Sequence, residues 1–328
     1  MKKLFKTLRN IWSIEELRDK ILYTLLLLFI YRLGTHIVLP GIDPTRLDMD
    51  NAKNGMLGLL DTFAGGAFSA ASILALGIMP YISASIFMQL MTVLVPQFQK
   101  LQKEGESGRK KINQWTRYLT VAVTAVQASA YVTYLRQINQ NTGAIMPGFA
   151  DYFWLTTVVV LTAGTLFVMW LGEKITDKGL GNGTSLIIMV GILARLPQSF
   201  MQELSAKSVR TGQILIFIIE LAILIAIIMG CILLVQGVRK IPVNYAKQIV
   251  GNRQFGGARQ FLPIKVNSAG VMPIIFAQAI MFLPTLISFT KFEAGQGIAR
   301  IFGDHQNIWY MVIYATVVIG FTFLYTAL

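Results

Sequence analysis

Between positions 62 and 99 the chain runs 38 residues without one Asp, Glu, Lys or Arg. Other uncharged stretches of 18 residues or more recur along its length. A water-soluble fold has no use for so much unbroken apolar text, whereas a membrane crossing needs about 20 such residues. Charged residues make up only 14% of the chain and hydrophobic ones 54%, against roughly 25% charged in an ordinary soluble domain. In lipid only helices and closed barrels satisfy their own backbone groups. The alternating ten-residue segments of a barrel are absent, so the fold class is an all-α polytopic membrane protein.

Hydropathy predicts eight spans, at about 21–38, 74–95, 118–135, 152–171, 180–194, 214–235, 266–290 and 308–328. With the N-terminus in the cytosol, the inner segments are 1–20, 96–117, 172–179 and 236–265. They hold 20 of the 29 Lys and Arg, and the outer segments hold 8. Acidic residues divide almost evenly, so the asymmetry is in the basic residues alone, as the positive-inside rule requires. The net charge of +13 thus decorates the cytosolic face, where it suits anionic lipid or an acidic partner. Residues 1–20 are too charged for a cleavable signal peptide and read as a cytosolic amphipathic segment. Cys231, the single cysteine, reads as a small buried hydrophobe.

No enzyme signature appears. The two histidines, His36 and His305, cannot form a His-Glu-x-x-His zinc site. GLGNG at 179–183 lacks the Gly-Lys-Ser/Thr that completes a P-loop. No metal or cofactor is expected. Arg32 and Glu220 are the two charges inside spans. Each either reaches a headgroup region or pairs within the bundle, because a charge at the membrane centre costs at least a few kcal/mol. The inner segment 236–265 is long, polar and basic, with Gly256 and Gly257 at the expected tip, and the segments on either side of these glycines alternate as a hairpin does.

The 38-residue run is too long for one crossing and barely enough for two. It opens TFAGGAFSAAS, whose Gly, Ala and Ser make a poor lipid-facing helix but pack closely against neighbours. Irregular backbone at membrane depth is tolerated only inside protein or along a cavity. Residues 56–73 therefore read as a re-entrant segment on the outer side, with the true span starting near Leu74. A small-residue packing helix with no moving role is the other reading of the same text.

These residues resemble the SecY family of translocon channel subunits. The blocks are AGGAFSAASILALGIMPYISASI (64–86), YRLGTHIVLPGID (31–43), QKEGESGRKKINQWTRY (102–118), WLGEKITDKGLGNGTS (170–185), IPVNYAK (241–247) and LPIKVNSAGVMPIIFA (262–277). They lie in order over essentially the whole chain.

The resemblance implies a SecY-like helical bundle with a re-entrant plug, holding about eight of the family's ten spans. It divides the chain into the cytosolic segment 1–20, an N-terminal half 21–194 with spans one to five, and a partial C-terminal half 195–328 with spans six to eight. The implied function is a protein-conducting channel, without enzyme activity, in the bacterial cytoplasmic (inner) membrane. It moves unfolded preproteins across and releases signal sequences sideways into lipid.

The plug, at about 56–72, is implied to include Thr62, Phe63, Ala64, Gly65, Gly66, Ala67, Phe68 and Ser69. The apolar pore ring receives Ile78, Ile82, Thr184, Ile188 and Ile275, with Thr184 departing from the usual aliphatic residue. Ile78 and Ile82 share a helix face, which ordinary bundle packing also explains. The lateral gate receives Gln89, Gln127 and Asn267, whose polar groups also suit plain interhelical hydrogen bonding. Docking of the ribosome and the SecA motor falls to Arg239, Lys240, Lys247, Arg253 and Arg259, with Asn252 where the family often has a second Arg. Implied partners are SecE and SecG, SecA, the ribosome, signal peptides and nascent chains, and membrane lipid.

The eighth span ends at Leu328 with no basic flank. The family's second docking loop, its last two spans and its last pore residue have no counterpart here. The expectation is a longer chain that supplies them. A secondary solute transporter is the alternative, since it too uses broken helices, but embedded polar groups are few. A lipid-docked scaffold is a third class.

Overall fold

The computed structural model describes residues 12–47, 58, 61–149, 151–208, 213–244, 248–250, 253–255, 259–267, 270, 273–274, 277 and 308–327. Eight helices and four short strands occur among them. The helices are α1 (Glu15–Gly34), α2 (Met79–Leu94), α3 (Pro96–Lys103), α4 (Glu106–Thr142), α5 (Phe153–Lys178), α6 (Gly183–Ser208), α7 (Gln213–Gln236) and α8 (Ile308–Ala327). The strands β1 (Val238–Asn244), β2 (Gln248–Val250), β3 (Arg253–Phe255) and β4 (Arg259–Lys265) lie between α7 and α8.

The chain divides into two compact units, Met1–Gln198 with Gln278–Tyr314, and Ser199–Ala277 with Ala315–Leu328. In the first, α2 packs on α3, α4 and α5, α4 also packs on α3 and α5, and α1 packs on α5. Two apolar clusters form there. One gathers Leu39, Phe68, Tyr131, Val132, Phe153 and Leu161 around the small residues Ala64, Ala67, Ala71 and Ala75. The other gathers Leu27, Tyr31, Leu74, Ile78, Val168, Leu171, Ile175 and Ile187.

Local chemistry sets most of the helix ends. Pro80 and Pro96 stand in the first turns of α2 and α3, where a missing N–H costs nothing. Gly143 closes α4 in the left-handed region at φ 64°, the usual glycine stop. Asn182 Oδ1 accepts from the N–H groups of Thr184 and Ser185, at 3.1 and 3.3 Å, and so caps α6. Asp43 caps the 3-10 turn Pro44–Arg46 through Thr45. Those two bonds hold its carboxyl below the usual carboxylate range.

The observed elements differ from the expected spans in instructive ways. The second span starts at Met79 rather than near Leu74, because residues 64–78 form successive turns. The inner segment 96–117 is helical, not a loop: α3 turns 95° from α2, and α4 begins at Glu106. At 37 residues α4 is about 55 Å long at 1.5 Å per residue, well beyond the roughly 30 Å apolar core of a bilayer. The fifth span continues through Pro197 to Ser208. The seventh expected span, 266–290, lies largely outside the described residues.

Four helices are long and apolar enough to cross a membrane among the described residues: Phe153–Lys178, Gly183–Lys207, Ile214–Gln236 and Ile308–Thr326. Helices α1 and α4 occupy the first and third expected positions, but the charges at their starts dilute them. In the second unit, Glu220 does pair, with Lys207 across the α6–α7 hairpin, and Phe200 stacks edge-on against Phe217 at 5.4 Å. Cys231 is exposed on α7 rather than buried. On a helix of nearly unbroken Ile and Leu, an exposed position is a lipid-facing one, and a thiol suits lipid as well as it suits a core.

Candidate functional site

The re-entrant reading of the glycine-rich segment holds, and its geometry explains why. After one helical turn at 61–63 the chain folds through turns to residue 78. Four residues there have positive φ: Gly65 at 65°, Gly66 at 92°, Ala71 at 44° and Gly77 at 55°. A segment that winds left-handed so often cannot be a packing helix. Residues 56, 57, 59 and 60 of the expected plug lie outside the described residues; Thr62 to Ser69 are all described.

The segment is tied in from every side. Leu39 N–H donates to Ala71 O at 2.8 Å and Ile73 N–H to Ile37 O at 2.9 Å. The Tyr131 hydroxyl of α4 donates to Phe68 O at 2.8 Å, and the two rings meet at 4.7 Å. Backbone also meets backbone. Gly65 Cα and Gly191 of α6 leave no room for side chains: a Cβ on Gly191 would stand 2.5 Å from Phe63 O. A Cβ on Gly164 of α5 would collide with Ile73 O. Two small residues on two helices thus admit the segment to the bundle.

Charge holds it as well. Arg32 of α1 donates to Gly65 O at 2.9 Å, so this intramembrane cation pairs within the bundle. Asp61 is fully buried. Its Oδ1 accepts from Ser69 N–H at 2.8 Å, and Arg195 Nη2 of α6 lies 2.6 Å from its Oδ2. That last approach is an ion pair by distance but lacks hydrogen-bond alignment. Arg195 Nη2 also donates to Ser69 Oγ at 2.8 Å. Asp61 and Arg195 were not among the expected site residues, because the sequence reads both as outer-segment charges. The available signal was position: Asp61 bounds the uncharged run, and Arg195 ends the apolar text of α6.

Three expected pore-ring residues come together. Ile78 is buried in the second apolar cluster, and Ile82 and Ile188 pack against it, partly exposed. Gly172 of α5 makes space for them, since a Cβ there would meet Thr184 Cγ2 at 3.2 Å and Ile78 Cδ1 at 3.6 Å. Thr184 turns its hydroxyl to Asn182 Oδ1, at 2.6 Å, which leaves its methyl toward Gly172. On its other side lies a polar cavity of about 280 Å³ lined with Tyr81, Asn113, Arg117 and Glu173. Arg117 and Glu173 form a two-point ion pair there, at 3.1 and 2.6 Å. Ile275 lies outside the described residues.

Of the expected gate residues, Gln127 is buried on α4 and Gln89 is exposed on the helix packed against it, α2. Asn267 belongs to the second unit, where its Oδ1 accepts from Gly270 N–H at 3.0 Å, a local turn bond. The basic segment is a hairpin as expected, but its register reverses the chain between Val250 and Arg253, and the expected tip, Gly256 and Gly257, falls between β3 and β4. Strand β1 pairs antiparallel with β4, and β2 with β3. Arg239 and Lys240 are exposed on β1. Arg259 stands opposite Asn244 and Arg253 opposite Val250. Lys247 lies outside the described residues.

The fold and site define a polytopic helical membrane protein with a re-entrant segment folded against an aliphatic cluster. The SecY family model matches residues 72–328. The protein translocase subunit SecY of Aquifex aeolicus is 42% identical over 327 residues, covering 98% of this chain and 76% of the relative. Its counterpart from Streptomyces scabiei is 40% identical over 325 residues, covering 95% and 74%. The chain belongs to the SecY family and spans about three quarters of the length of these relatives.

Solved structures agree on the fold. A protein-conducting channel matches with TM-score 0.60 at 15% identity, over 93% of this chain and 72% of that one. A SecY protein, described as having a plug domain that stabilises the closed translocation channel and maintains a membrane seal, matches with TM-score 0.59 at 16% identity, over the same shares. Sec61 from the canine ribosome-channel complex matches with TM-score 0.53 at 16% identity, over 82% and 58%.

Proposed function

We propose that the chain is the channel-forming subunit of a protein translocase, passing unfolded preproteins across the bacterial cytoplasmic membrane and releasing signal sequences and membrane helices into lipid. Besides family membership, one observation carries the mechanism: a left-handed, glycine-rich segment is folded into the bundle beside Ile78, where a Cβ on Gly77 would stand 3.8 Å from the Ala64 Cβ. Residues 56–72 serve as the plug, and 73–78 lead from it into α2. Ile78, Ile82 and Ile188, with the Thr184 methyl, form the apolar constriction, joined by Ile275. Such a ring dewets and resists ions, yet aliphatic side chains yield to a passing peptide. The Thr184 hydroxyl is satisfied by Asn182, which supports a dry seal.

The N-terminus is cytosolic, as the basic asymmetry favours. Gln89, Gln127 and Asn267 line the lateral gate. Arg239, Lys240, Lys247, Arg253 and Arg259 dock the ribosome, neutralising RNA phosphates, and serve the SecA motor in turn. SecE and SecG complete the assembly. The chain does no covalent chemistry, and energy comes from these partners. Reconstitution of the assembled complex in proteoliposomes tests the reading. Unfolded preprotein should enter the vesicles without coupling to any solute gradient; gradient-driven solute uptake in its place would contradict it.

A further inference from the structure

The two glycines of the AGG stretch each yield their side-chain space to an arginine. A Cβ on Gly65 would stand 2.9 Å from Arg32 Nη1. A Cβ on Gly66 would stand 2.8 Å from Arg195 Nη2 and 2.9 Å from its Nε. One guanidinium therefore lies on each glycine, one from α1 and one from α6. Against the Arg195 clamp sits the carboxylate of Asp61, wholly buried, with Ser69 bridging: its N–H donates to Asp61 Oδ1 and its hydroxyl accepts from Arg195.

We propose that Arg32 and Arg195 are positioning residues that clamp the plug shut, Arg32 through the Gly65 carbonyl and Arg195 through Asp61 as its buried counter-charge, so that the strength of this clamp sets how good a substrate must be to open the channel. The inference rests on the plug reading above and assigns that plug's hold to particular residues. A buried carboxylate is tolerable only while paired. Moving the segment out of place separates Asp61 from Arg195 and Gly65 O from Arg32 together, so release is a single concerted event. A substrate can open the channel only by as much as it binds the open form better than the closed one. Weakening the clamp lowers that requirement, and poorer substrates then suffice.

The test uses the assembled complex with Asp61→Asn, Arg195→Gln, both together, and Arg195→Lys, read by ion flux and by export of a preprotein with a weakened signal sequence. Each neutral single variant should raise flux roughly tenfold, the scale set by a modest population shift, and should improve export of the weak substrate. The double variant should do no more than the stronger single, since both remove one interaction. Arg195→Lys, which keeps the charge but loses the fork, should fall between parent and Arg195→Gln. In a chain lacking residues 62–69, Arg195→Gln should add nothing to the leak. Should a charge variant fail to accumulate, Ser69→Ala removes only the hydroxyl that accepts from Arg195, leaves the Ser69 N–H bond to Asp61 and should give a smaller rise in flux. Parent-level flux and export in the single variants, or in Ser69→Ala where it stands in for them, would overturn the inference, and so would additive effects in the double. If the deletion itself still leaks in that case, the plug reading survives and only the clamp falls; a deletion that stays sealed removes both.

Discussion

Among the described residues, 61–78 and 238–265 both leave the α-helix over a long stretch, and they are held in opposite ways. The hairpin at 238–265 carries its own order. Its strands pair residue for residue from Val238 opposite Lys265 to Asn244 opposite Arg259, and Ile241, Leu262 and Ile264 remain exposed on it. The segment at 61–78 has short turn bonds of its own, but its long-range partners lie on α1, α4, α5 and α6, and on residues 37–39 that follow α1. A region that specifies itself is suited to be a stiff docking arm. A region specified by its neighbours can be released when they change, and keeps no rigid form of its own to obstruct a passing chain.

The comparison breaks most readily at the glycine contacts. Gly191→Leu or Gly164→Leu should force the segment out of the bundle, since overpacking at a backbone contact costs about 3 kcal/mol or more. The measurement is ion leak together with accumulation in the membrane, and normal values of both would mean the close approach is dispensable. The hairpin offers the next largest effect. Reversing Arg253 and Arg259 to Glu should weaken ribosome binding by roughly tenfold or more at low salt and flatten its salt dependence, while ion leak stays at the parent level. A leak appearing in that variant would mean that the two regions are not independent.

Smaller effects sharpen the picture. Tyr131→Phe removes the buried bond to Phe68 O and should weaken the segment's hold by about 1 kcal/mol, visible as a modest rise in leak; a large rise would make this hydroxyl the main tether. The smallest concerns Asp43, whose carboxyl is held low by Thr45. Its lowered value means its contribution is present above the ordinary carboxylate range and fades as pH falls through the folded value. Asp43→Asn should therefore leave thermal stability nearly unchanged at low pH and reduce it slightly near neutrality. An equal loss at both would assign the effect to something other than the charge.

Much of this was legible in sequence for a physical reason. Uncharged runs report spans because lipid forbids charge, and the alternating text of 236–265 reports a hairpin because a strand has period two, although the chain reverses between Val250 and Arg253 and not at Gly256 and Gly257. The surplus of residues 62–99 over one crossing announced a re-entrant segment. Its clamps were not legible, because Asp61 and Arg195 are 134 positions apart and either charge alone reads as an ordinary loop residue. The start of α2 at Met79 was hidden for a related reason: ILALGI is as apolar as a span, and only tertiary bonds such as Ile73 N–H to Ile37 O keep it in turns. Cys231 was misplaced because apolar text does not distinguish lipid from core.

The central claim is that the plug at 56–72 seals a pore. Conductance of the assembled complex in a planar bilayer, with and without residues 62–69, tests it most directly. The account predicts a tight parent and a deletion variant that conducts ions in the absence of substrate and accepts preproteins with poorer signal sequences. An unchanged conductance in the deletion variant, with the protein accumulating normally, would contradict it.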